Sequence, residues 1–99
     1  MANKRSTGSQ SKHDKKVKEV AQDLQKKGYK VKADIPGFDQ PSPIGKNNRV
    51  PDIEATKGNR TKLIEVETKD TISTDKAQQS TFRRSAAQKP NTTFEVKEI

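Results

Sequence analysis

The chain has no cysteine, no tryptophan and a single histidine, His13. The first absence rules out disulfides, thiolate zinc sites and cysteine nucleophiles, and the lone histidine rules out a multi-histidine metal site within one chain. Large apolar residues are scarce as well. Leu, Ile, Val and Phe supply 17 of 99 residues, below the roughly 20% at which a highly charged chain begins to resemble a disordered one. A folded core must therefore be small and must leave out the most polar ends. The four aromatics, Tyr29, Phe38, Phe82 and Phe94, are mostly claimed by apolar stripes, which argues against stacking on single-stranded bases. No apolar run reaches the roughly 18 residues of a membrane span, and the first residues lack the apolar stretch of a signal peptide. The expected location is cytoplasmic.

What the chain has in excess is positive charge. Lys and Arg number 21 against 13 acids, for a net charge of +8. Such an imbalance favours a polyanionic partner, nucleic acid before an anionic membrane.

Met1–Gln10 shows no apolar periodicity and reads as a disordered basic tail, with residues 11–99 forming one domain. From Ser11 to Lys27, Val17, Val20, Ala21 and Leu24 fall at helical spacing and Gly28 stands where a helix would be capped. The other faces of this helix carry Lys12, Lys15, Lys16, Lys18, Lys26 and Lys27. Tyr29, Val31, Ala33 and Ile35 then alternate with polar residues as a half-buried strand requires. Four of the five prolines lie between Pro36 and Pro51, so residues 36–50 are expected to form a long, mobile loop. Two more strands follow, Ile53 and Ala55 marking one and Ile64 and Val66 the other, with Gly58–Asn59 as the hairpin turn between them. A second helix is expected from Ser73 or Thr74 to about Gln88, with Gln78, Phe82 and Ala86 in one row, stopped by Pro90. "TFEVKEI" closes the chain as a strand.

The stretch from Pro51 to Asp70 concentrates acids in a basic protein: Asp52, Glu54, Glu65, Glu67 and Asp70. If the turn is centred between Gly58 and Asn59, Asp52 lies directly across from Glu65, with Glu67 on the same face two residues further on. Carboxylates so placed repel one another, and a hard divalent cation is what tolerates such an arrangement. The alternative is a solvent-facing sheet edge whose acids pair with Arg60, Lys62 or Lys69. A register slip of one residue would put Glu65 on the other face.

Helix, strand, long loop, "RVPD", hairpin, "LIEVET", a helix carrying "QQSTFRRSAA" and a final strand together resemble the PD-(D/E)XK nuclease superfamily over roughly residues 11–99. The resemblance implies an α/β fold with the restriction-endonuclease-like αβββαβ core also found in archaeal Holliday-junction resolvases, a central mixed sheet flanked by two helices. It further implies Mg²⁺ or Mn²⁺ as cofactor. Asp52 matches the family's first acid and Glu65 its second, the two metal ligands. Glu67 stands where E-x-K has its lysine, a departure from the pattern. An alternative alignment uses Glu67 and Lys69, although Asp70 and Thr71 suggest that the strand ends there. Asp14 is the candidate for the acid that many members place on the first helix. Gln78, in "QxxxF", resembles a glutamine that some members place near the active site. His13, beside Asp14, reads as a partly exposed packing residue.

The expected activity is therefore metal-dependent hydrolysis of DNA phosphodiesters in junction, branched or duplex DNA, with Asp52, Glu65, Glu67 and Gln78 as catalytic residues. Lys12, Lys15, Lys16, Arg83, Arg84 and Lys89 would hold the DNA backbone. By analogy with cutters of two strands, a homodimer is expected. The rival is a catalytically inactive nuclease fold, kept for binding nucleic acid or a protein; a small basic α/β protein without a metal site is the third reading.

Overall fold

The computed structural model describes residues 7–45, 48–67 and 76–98, with side chains in the first helix described from Lys12 onward. The elements run α1 (Thr7–Lys26), β1 (Lys30–Ala33), β2 (Ile53–Lys57), β3 (Arg60–Glu67), α2 (Lys76–Gln88) and β4 (Thr92–Glu98). The strands form one sheet in the order β1-β2-β3-β4. β1 and β2, and β2 and β3, pair antiparallel, whereas β3 and β4 pair parallel. The sheet is therefore mixed. A parallel neighbour cannot be reached by a tight turn, and α2 lies in the crossover that makes the pairing possible.

α1 starts four residues before the expected Ser11, so Thr7–Gln10 belong to the helix and not to a tail. Thr7, Gly8 and Ser9 are weak helix formers, but propensity yields to packing once the following turns are docked. Residues 1–6 lie outside the described residues, and so does the expected start of α2 at Ser73 or Thr74. At its other end α1 closes on a Schellman pattern: the Gly28 N–H donates to the Gln25 carbonyl (3.0 Å) and the Tyr29 N–H to that of Leu24 (3.0 Å).

The β2–β3 hairpin turns through Gly58–Asn59, with Lys57 paired to Arg60. Gly58 has φ 59° and Asn59 is not among the residues of positive φ. That sign pattern is the one a two-residue type II′ turn needs, and it matches the twist of the flanking strands.

Each face of the sheet has its own core. On the α1 face, Val17, Ala21 and Leu24 pack on Ala33, Ile35, Ile53, Ala55, Ile64 and Val66. On the other, Phe82 of α2 meets Leu63 and Ile44, with Phe94 packed against them. Ile44 comes from the long loop, so this segment is partly folded in: Ile44 bridges to Arg49, and Pro41 and Ile44 are buried.

The second core is small, and Phe82 is its one fully buried aromatic. Phe82 is fully buried, with its ring centroid 5.9 Å from that of Phe94. Phe82→Ala is expected to cost roughly 3–5 kcal/mol of stability, as truncation of a buried Phe does, measured by urea unfolding.

Candidate active site

The site forms where β2 begins and β3 ends. Ile53 pairs with Ile64, and the same register carried one step beyond the strand sets Asp52 opposite Glu65. There the ladder continues through side chains in place of main chain. The Asp52 N–H donates to Glu65 Oε2 (2.7 Å), and the Val66 N–H donates to Asp52 Oδ2 (2.8 Å). Each acid is thus held by the other's strand.

Two helices close on this clasp. From α2, Gln78 Nε2 donates to Glu65 Oε1 at 2.7 Å. From α1, His13 contacts Asp52 Oδ2 through Nε2 (3.1 Å) and Asp14 Oδ1 through Nδ1 (3.0 Å). His13 thus links Asp52 to Asp14, with the donor and acceptor roles of its two ring nitrogens following its tautomer. His13 is 4% exposed, which corrects its reading as a partly exposed packing residue. The signal was present, since His13 begins the row continued by Val17 and Ala21 at i+4 and i+8.

Glu65 and Glu67 are 2% and 1% exposed. They do not lie on a solvent-facing sheet edge. Lys69 lies outside the described residues, as does the alternative Glu67–Lys69 motif beyond Glu67. Burial, the largest effect, pushes the Glu65 carboxyl up to about 9. The charge of Asp52 and, to a lesser extent, that of Glu67 act in the same direction; the hydrogen bonds from the Asp52 N–H and the Gln78 amide oppose it.

The structure therefore brings together Asp14, Asp52, Glu65 and Gln78, together with His13. Lys12, Lys15, Arg83, Arg84 and Lys89 are exposed and Lys16 is half-buried, so most of these cations remain available to solvent. Two of the arginines also have local contacts: Arg83 stacks over the Phe94 ring (5.5 Å to the centroid), and Arg84 donates to Ser80 Oγ (3.3 Å). Buried Gln79 and half-buried Arg49 were not singled out by sequence.

Among the described residues no three His, Asp or Glu side chains already stand as a metal-ligand set. Asp52 Oδ2 and both oxygens of Glu65 are occupied by protein donors. The chemistry of the donors nonetheless fits a hard divalent ion. All are carboxylate oxygens, and one belongs to an acid whose ionisation is opposed by burial and by neighbouring negative charge, both of which a cation would offset.

Glu65 also sets a pH dependence. Its unfolded carboxyl loses its proton near pH 4.5, whereas the folded one retains it to about 9. Between these values the native state binds more protons, so stability is fully present below the lower value and declines as pH rises toward the upper one. Glu65→Gln is expected to flatten that decline and to raise stability at neutral pH by roughly 3–4 kcal/mol, at about 1.4 kcal/mol per pH unit above the unfolded value. Urea unfolding across this pH range, wild type against variant, measures both effects; a wild-type stability that rises through the same range contradicts the assignment.

No protein-family model, curated protein or solved structure matches this chain, so its functional reading rests on the residues and geometry described above.

Proposed function

We propose that this protein is a metal-dependent DNA endonuclease of the PD-(D/E)XK kind, hydrolysing phosphodiester bonds in junction, branched or duplex DNA. The observation that carries the reading is the clasp of half-buried Asp52 and buried Glu65 at the junction of β2 and β3, in a chain of net charge +8. Burying neighbouring acids opposes folding, and such perturbed carboxylates concentrate at functional sites. The α/β architecture supports it too: a four-stranded mixed sheet with α1 on one face and α2 on the other is compatible with the family's core.

Asp52 and Glu65 would hold Mg²⁺ or Mn²⁺. The ion, when bound, would supply a Lewis acid that lowers the pKa of a water and offsets charge on the phosphate. His13 orients Asp52 from α1 and Gln78 orients Glu65 from α2. Glu67, in the place of the family's lysine, is positioned by β3 on the same face as Glu65 and would accept the proton of the attacking water. Cations on both helices, Lys12, Lys15 and Lys16 on α1 and Arg83 and Arg84 on α2, with Lys89 just beyond it, would hold the DNA backbone. Two copies would be needed to cut two strands at once.

Glu67 also favours a second reading. An acid where the family has a cation leaves more negative charge to face a phosphate, which suits a protein that binds DNA without cutting it.

Titration with Mg²⁺ and Mn²⁺, followed through backbone amide shifts, tests the first step. Saturable shifts centred on Asp52, Glu65 and Glu67 and abolished by Asp52→Ala are expected; flat or scattered shifts would overturn the metal site. Cleavage of branched and duplex DNA by wild type but not by Asp52→Ala then separates nuclease from binder.

A further inference from the structure

The long loop contains a fixed cation that the sequence did not advertise. Within it, Ile44 and Arg49 exchange main-chain hydrogen bonds, Ile44 N–H to the Arg49 carbonyl at 2.7 Å and Arg49 N–H to that of Ile44 at 3.0 Å. Asn48 adopts φ 51° to close the turn. The bracket is seated on the α2 face of the sheet. Ile44 packs against Leu63 and Phe82, and Gly45 comes so close to α2 that a Cβ there would lie 2.9 Å from Thr81 Cγ2. Gln78, one turn before Thr81 on α2, is the residue that donates to Glu65.

Arg49 is thus held by main chain, three residues before Asp52, and its Cα cannot be more than about 11 Å from that of Asp52 along an extended chain. Its Nε is buried and has no hydrogen-bond partner among the described residues. A buried donor without an acceptor opposes folding and calls for a ligand or an ordered water. Arginine is the side chain whose planar fork matches phosphate oxygens, and a cation beside clustered carboxylates is what a polyanionic substrate needs in order to approach them.

We propose that Arg49 is a phosphate-holding residue of this site, its guanidinium gripping the DNA phosphodiester presented to Asp52 and Glu65. The inference rests on the nuclease reading and goes beyond it by assigning a phosphate contact to a cation three residues upstream of the first acid. It also gives the bracket from Ile44 to Arg49 a purpose, since a flexible loop would lose much of the advantage of a preset contact.

The test is binding of fluorescently labelled branched and duplex DNA to the full chain in Ca²⁺, measured as a function of salt for wild type, Arg49→Gln and Arg49→Lys. Loss of one charge-assisted phosphate contact is expected to weaken binding by Arg49→Gln about tenfold or more. The magnitude of the salt slope should fall by about 0.9, the value for one phosphate contact with duplex DNA. Arg49→Lys should keep the wild-type slope yet bind more weakly, because charge remains and the fork is lost. In both variants the Mg²⁺-dependent amide shifts at Asp52, Glu65 and Glu67 should persist. Wild-type affinity and slope in Arg49→Gln would overturn the proposal, as would loss of the Mg²⁺ shifts, which would make Arg49 a support of the acids. Should Arg49→Gln fail to fold, Arg49→Lys decides alone: weaker binding at unchanged slope supports the contact, and wild-type affinity overturns it. Wild-type protein that binds Mg²⁺ but no DNA overturns this proposal with the metal site standing, whereas absence of Mg²⁺ shifts in wild type marks failure of the nuclease reading itself.

Discussion

The reciprocal clasp between Asp52 and Glu65 is the interaction on which the rest of the site depends. It is an extension of the β2–β3 ladder in which a carboxylate replaces a carbonyl on each strand: Glu65 accepts the Asp52 N–H, and Asp52 accepts the Val66 N–H. Because the acceptors are side chains, the two acids are drawn toward each other by the pairing that would otherwise keep them apart. The ladder's register, set at the Gly58–Asn59 turn, therefore fixes the position of both. Helices α1 and α2 then attach to this pair from separate elements, His13 through Asp52 and Gln78 through Glu65.

This arrangement works against the fold that carries it. The interior has few large apolar side chains to offer, and it gives places among its most buried positions to Glu65 and Glu67 beside Phe82, Ile53 and Ile64. Desolvating a carboxylate opposes folding unless a proton, a donor or a cation compensates it. Protein donors compensate Glu65 only in part, since its carboxyl remains far above its ordinary range. A chain selected for stability alone would gain by replacing the acid with a neutral residue of the same shape.

Much of this was legible in the sequence because period-2 alternation and a two-residue turn together specify a hairpin. Asp52 and Glu65 could be placed opposite each other from residue numbers and the position of Gly58. The burial of Glu65 and Glu67 was not legible, because alternation says which residues share a face but not what covers it; at Glu65 the contact comes from Gln78 of α2, on the face where Phe82 and the loop residue Ile44 pack on Leu63. His13 was misread for a different reason. Its place on the apolar row was visible, but its partner Asp52 is remote in sequence, and only the docking of α1 brings them within 3.1 Å. The start of α1 at Thr7 was missed because polar residues carry no periodicity to read.

Charge balance links the departure at Glu67 to the rest of the molecule. A lysine at that position would place a cation inside the carboxylate cluster; glutamate adds another acid there. In the nuclease reading, groups that balance these acids would then come from elements outside β3. His13 reaches the cluster from α1 at Asp52, and Arg49 is bracketed to the same face as Gln78 a short distance upstream of Asp52. Groups delivered from a helix and a loop can be positioned independently of the strand that carries the acids. Under the nuclease reading proposed above, the acids would serve as oxygen donors, while the positive charge that admits a phosphodiester would be supplied by residues that do not compete for the same place on the sheet.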